Sequence, residues 1–145
     1  MTDDLERFVA AQEQVYESVL QELRRGSKTG HWMWFIFPQI AGLGQSPTSR
    51  HFAIGSLEEA RAYLEHPLLG RRLRECAGLV LGIEGRTAEE IFGSIDARKL
   101  RSSMTLFQRA AREDPVFQQV LDRYYHGTAD EATDAILARS PGSTE

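Results

Sequence analysis

Cysteine is almost absent from this chain. Cys76 is the one thiol in 145 residues, so no disulfide can close within it, and no Cys/His run has the spacing of zinc ligands. A reducing, cytoplasmic setting is expected, with neither a metal site nor another cofactor. Long hydrophobic runs are also missing. The longest, Trp32 to Phe37, falls far short of the roughly 20 residues a helix needs to span a bilayer, so no membrane segment is expected. The start of the chain is acidic through Asp3, Asp4 and Glu6, where a secretory leader would be basic and then apolar, and this argues against export. Nor is there a basic excess. Lys and Arg number 17 against 21 Asp and Glu, a formal net charge of −4, and bulk nucleic-acid binding, which rests on positive charge, is not expected.

What the chain does have is enough apolar material for a core. With 41% hydrophobic and 26% charged residues it falls in the globular range, and its length suits one domain. Leu5, Phe8, Val9, Gln12, Val15, Tyr16, Val19, Leu20 and Leu23 recur at three- and four-residue steps, predicting one long amphipathic helix from an Asp3/Glu6 capping start to a Gly26 stop. Ser56 and Glu59 frame a capping box for a second helix, which must yield at His66-Pro67. A third, with Pro67 in its first turn, carries Leu68, Leu69, Leu73, Cys76, Leu79 and Val80 inward and ends between Gly82 and Gly85. Cys76 therefore reads as a small buried hydrophobe.

Thr87 and Glu90 frame a short helix ending at Gly93, and Asp96 is the expected cap of the next, which buries Leu100, Met104, Phe107 and Ala111. Asp114-Pro115 restarts a helix that runs to Gly127, and Thr128 with Glu131 opens a last one through Ile136 and Leu137. The expected fold is all-α: a compact single-domain bundle of about six to eight helices over residues 1–139, with a frayed tail at 140–145 and an irregular aromatic-rich loop after the first helix.

That loop, residues 27–55, obeys neither helical nor strand patterning throughout. It holds both tryptophans and contains Lys28 and Arg50 but no Asp or Glu. Trp32 to Phe37 reads equally as a short buried helix or a strand, and any β-structure in the chain must come from residues 31–54. Breaks of this kind in local consistency are where functional or strained sites are expected.

The run His31-Trp32-Met33-Trp34-Phe35-Ile36-Phe37-Pro38-Gln39, followed by Gly42-Leu43-Gly44-Gln45-Ser46 and Ser49-Arg50, resembles a small all-helical family of bacteria, fungi and plants sometimes labelled calpastatin-like. The likeness continues through Tyr63 to Pro67, Asp96, Lys99-Leu100 and Ser102 to Phe107, so it covers nearly the whole chain. The resemblance implies a single helical domain and brings no established activity. The calpastatin label itself fits poorly, because calpain inhibitors are disordered and polar whereas this composition supports a packed core.

The chemistry in reach comes from His31, Gln39, Ser46, Ser49 and Arg50 together with Asp96, Lys99, Ser102 and Ser103. If the loop folds over the start of the later helix, Arg50 and Lys99 supply charge, the serines supply donors, and Trp32 or Trp34 can stack on a planar group. Each of these has a plainer role. The aromatic run can be core, His31 a structural hydrogen-bonding group in place of an acid or base, and Asp96 a cap in place of a carboxylate that orients His31, a ribose hydroxyl or water. Arg50 and Lys99 can be surface ion pairs, and Arg71, Arg72, Arg74, Arg98 and Arg101 read as solvated helix faces. Gly42-Leu43-Gly44 lacks the third glycine of a dinucleotide fingerprint, and Lys28-Thr29 lacks the glycine-rich loop of a phosphate-binding one.

The leading expectation is a protein, monomeric or weakly dimeric, that binds a small phosphorylated or nucleotide-derived, ADP-ribose-like ligand and is open to hydrolysis through His31 and Asp96. In general character, though not in any motif, it is similar to the helical N-glycosidases that handle ADP-ribose. The alternative is a non-enzymatic interaction module that presents the aromatic loop to a protein partner, which exposed tryptophans would favour.

Overall fold

In the computed structural model, residues 4–139 are described. The expected tail at 140–145 and the Asp3 member of the first capping pair lie outside them. Ten helices occur among the described residues, where six to eight were expected, and the difference arises in two places. The N-terminal helix is two: α1 (Glu6–Glu13) and α2 (Tyr16–Arg25) meet at Val15, whose backbone at φ −128° and ψ −4° leaves the helical basin. The apolar face continues across the break, with Phe8, Val19, Leu20 and Leu23 all buried, so periodicity carries no sign of it. The loop also contains two short helices, α3 (Met33–Ile36) and α4 (Pro47–His51). The middle of the Trp32 to Phe37 run, Met33–Ile36, is thus helical, and the β-structure among the described residues is one isolated parallel bridge, Ile40 to Ile54.

Most of the remaining helices begin and end where their local signals stand. In α5 (Leu57–Glu65), Ser56 accepts from Glu59 N, while the Glu59 carboxylate takes Gly55 N at 2.6 Å. In α7 (Ala88–Phe92), the Thr87/Glu90 capping box is complete in both directions. Helix α9 (Pro115–Tyr125) starts on Asp114 and has Pro115 in its first turn. Three starts differ from expectation. Helix α6 (Leu69–Gly82) begins after Pro67, and its first donors, Leu68 N and Leu69 N, bond to His66 Nδ1 at 3.1 and 3.2 Å. For α10 (Glu131–Arg139) the cap is Asp130, not Thr128: Asp130 Oδ2 accepts from Thr133 N at 3.0 Å. And α8 (Ser94–Ala110) starts directly at Gly93, whose φ of 83° lets the chain turn from one helix into the next without a linker. Asp96 therefore lies inside the first turn of α8 and is not its cap.

Helix α8 is the centre of the fold, packing against α5, α7, α9 and α10, while α6 joins α5, α9 and α2. Leu100, Met104, Leu106 and Phe107 are fully buried on it. Aromatic edges run through the core from Phe8 to Tyr63, Phe107 and Phe117, with centroids 5.1, 5.4 and 5.9 Å apart. The α5–α6 corner depends on Gly70, because a Cβ there would lie 2.0 Å from Leu64 O. No helix among the described residues is long and apolar enough to cross a membrane.

Candidate functional site

Residues 27–55 have few regular hydrogen bonds of their own, and a buried backbone group without a partner is costly. Side chains from the flanking helices supply the partners. Glu22, buried on α2, accepts Thr29 N at 2.8 Å, Gly30 N at 3.0 Å and the Trp32 indole N–H at 2.9 Å. Burial alone would raise its pKa, but the N–H bonds from Gly30, Thr29 and Trp32 outweigh that and hold the carboxyl below the usual glutamate range. Gln12 on α1 donates to Phe35 O at 2.8 Å, and Arg7 donates to His51 O and Ala53 O at 2.7 and 2.8 Å. The loop's path over the start of α8 is set by these anchors.

That path brings Lys28 onto Asp96. Their ion pair is 2.8 Å long with the Lys28 side chain only 7% exposed, and the other oxygen of Asp96 lies 3.7 Å from Lys99 Nζ. Lys99 in turn sits over the ring of Trp34 at 4.8 Å, and Lys28 over that of Trp32 at 5.0 Å. A cleft of about 370 Å³ opens beside this pair, lined by Lys28, His31, Met33, Trp34, Phe92 and residues 93–96. No side chain among the described residues caps the start of α8, and residues 93–96, at the positive end of the dipole of this 17-residue helix, line the cleft. Two ammonium groups therefore stand against the carboxylate of Asp96, Lys28 within the cleft lining and Lys99 beside it.

Of the residues singled out from the sequence, His31, Trp34 and Asp96 line this cleft and Lys99 adjoins it through Trp34. His31 is exposed and makes no bond to Asp96, whose oxygens are held by the two lysines. The others lie elsewhere. Trp32 is 2% exposed with its N–H taken by Glu22, so it is core and cannot stack on a ligand. Gln39 and Ser49 border a separate crevice of about 10 Å³ beside Trp34, room for one water at most. Ser46 caps α4 and bonds Ser49 Oγ at 2.9 Å, and Arg50 is exposed on the same short helix. Ser102 is buried with its hydroxyl on Asp130 Oδ2 at 3.1 Å, joining α8 to the start of α10. Ser103 is buried too, and its Oγ has no hydrogen-bond partner among the described residues.

Two members of the arrangement were not among the sequence candidates. Lys28 had been noted only for its charge. Glu22 had a usable signal: it follows Val19 by three residues on the apolar face of its helix, where a carboxylate needs donors. Cys76 is buried as expected, and burial pushes its thiol up to about 12, far from a nucleophile's range. Among the described residues no three His, Cys, Asp or Glu side chains gather as a metal site would require.

The family described as Protein of unknown function (DUF1810) matches residues 2–137 of the chain. A search of curated proteins finds no match. Among solved structures, the chain is similar to the conserved hypothetical protein Rv1873 from Mycobacterium tuberculosis at 57% identity, covering 94% of this chain and 98% of that one with a TM-score of 0.93. Neither description names an activity, and neither mentions calpastatin.

Proposed function

The chain belongs to the DUF1810 family of unknown function, and on its geometry we propose that the cleft at the start of α8 binds a small phosphorylated or nucleotide-derived ligand. The observation that carries this is the convergence of Lys28, Lys99, His31 and the uncapped α8 start around one carboxylate, Asp96, in a space of about 370 Å³. That volume is within the range of small-ligand pockets. A phosphate takes the helix N–H groups and the ammonium charge, Trp34 offers a wall for a planar group, and Asp96 accepts from a sugar hydroxyl. A hydrolytic step is a second reading, favoured by His31 and Asp96 lining the same cleft. The aromatic docking surface has less support, since Trp32 is in the core and Lys99 covers a face of Trp34. A reducing cytoplasm suits the single buried thiol.

Thermal denaturation with nucleoside mono- and diphosphates and ADP-ribose tests the proposal. A ligand at about 100 times its Kd stabilises the folded state by about 2.7 kcal/mol, and this shift is expected to vanish in Lys99→Ala and Trp34→Ala but persist in Arg50→Ala. No response across the panel, or a shift that both cleft variants retain, removes the reading.

A further inference from the structure

A surface cavity of about 590 Å³ lies away from this cleft, between the start of α7, the middle of α8 and the end of α9. It is lined by Arg86, Thr87, Glu89, Arg101, Arg123, Tyr124, Tyr125, His126 and Thr128, of which the three arginines carry the argument. Arg101 follows Asp96 by five residues, about 140° around the helix, so the two openings lie on different sides of α8.

The arginines of this protein that hold side-chain hydrogen bonds fall into two groups. Arg7, Arg72, Arg74 and Arg109 each also meet a carboxylate: Glu59 at 3.5 Å, Glu13 at 3.7 Å, Asp114 at 2.6 Å and Asp134 at 2.8 Å. Arg86, Arg101 and Arg123 meet none among the described residues. Each donates to a main-chain carbonyl instead: Arg101 to Thr128 O at 3.0 Å, Arg123 to Ile83 O at 2.6 Å and, more loosely, Arg86 to Gly26 O at 3.5 Å. All three line the same cavity. A guanidinium has five N–H donors, so one bond to a carbonyl orients the fork and leaves most of it, and the whole charge, unspent. Tyr124 and Tyr125 back the array, with Arg123 and Arg101 each 5.8 Å from a ring centre and both phenols bonded to main-chain carbonyls, Val80 O and Ala97 O. Glu89 is the one acid in the lining.

In a chain with more acids than bases, three guanidiniums that hold no ion pair among the described residues line one cavity beside a single acid, Glu89, and their chemistry suits a polyanion. Arginine forks match phosphate oxygens two at a time, and three forks exceed what one monophosphate needs. We infer that this cavity is a second binding site, specific for a di- or polyphosphate chain, whether free or carried on a nucleoside.

Inorganic pyrophosphate is the probe, titrated at constant ionic strength and followed by amide NMR. Saturable shifts are expected at Thr87, Arg101 and residues 123–128, with Ser94 to Asp96 less affected. Arg101→Ala and Arg123→Ala are each expected to weaken binding at least about tenfold, the loss of a charged hydrogen bond. Arg101→Lys and Arg123→Lys, which keep the charge and a donor for the carbonyl, weaken it by less and guard against a folding defect. Arg50→Ala removes the same charge from an exposed site and leaves the affinity unchanged. A nucleoside diphosphate binding as tightly as pyrophosphate assigns recognition to the phosphates alone, and tighter binding adds the tyrosine walls to a nucleotide site. Shifts that fail to saturate, or saturable binding that Arg101→Ala and Arg123→Ala both retain, overturn the proposal.

Discussion

The helical frame of α5 to α9 and the segment 27–55 are held together by different physics. The frame buries apolar side chains on periodic faces and satisfies its backbone internally, with Leu73, Leu100, Phe107 and Phe117 among its most buried side chains. The segment between has four- and five-residue helices, one bridge, and a backbone whose donors and acceptors reach outward to Glu22, Gln12, Arg7 and Glu59. Irregular chain can be as ordered as helix when its polar groups find partners, and here several of those partners are single side chains.

The contrast predicts different failures. Phe107→Ala empties the centre of the frame and is expected to cost about 3–5 kcal/mol. Its mark is a fall in chemical-denaturation midpoint accompanied by loss of amide-exchange protection throughout α5 to α9. Glu22→Ala leaves the N–H groups of Thr29, Gly30 and Trp32 without their acceptor and is expected to cost about 3 kcal/mol, with exchange rising first at residues 29–32. If deprotection is instead uniform, the two regions are one cooperative unit and the contrast fails.

Glu22 also links the segment to pH. Its folded carboxyl lies below the usual range, so the unfolded chain binds the proton more readily. The stability it contributes is complete above the ordinary glutamate range and is lost as pH falls through the folded value. Denaturation midpoints measured across the acid range should flatten in Glu22→Gln relative to wild type. The smallest effect belongs to a helix start within the frame: His66→Ala removes the acceptor of Leu68 N and Leu69 N and is expected to cost about 1 kcal/mol, read as a modest drop in Tm with the 29–32 amides unchanged.

Much of the frame was legible because its signals are local. Ser56, Thr87 and Asp114 mark helix starts within a few residues of the bonds they make, and Gly26 marks an end at φ 73°. Where a local signal misled, a nearer group had intervened. Asp96 looked like a cap because the turn permitted by Gly93 cannot be seen in a residue name, and Thr128 yielded to Asp130, two residues closer to its helix. The break at Val15 was hidden because the apolar face does not change phase there.

The site was legible in part. His31, Trp34, Asp96 and Lys99 were singled out by residue type, and they do lie in or beside one cleft. Trp32, chosen on the same grounds, is core: it stands just before α3, two positions from Trp34, and residues two apart on a helical turn point to different sides. Arg101, read as part of a solvated face, is bonded to Thr128 O and lines a cavity.

By itself the sequence determined an all-helical, cysteine-poor chain with one core, because periodicity, capping and glycine stops act over a turn or two of backbone. Only the tertiary structure decided that Lys28 neutralises Asp96, that Lys99 covers Trp34, and that Arg86, Arg101 and Arg123 line one cavity with no ion pair among the described residues. Those are meetings between residues remote along the chain, and charge acts through distance in space, of which sequence spacing carries no measure.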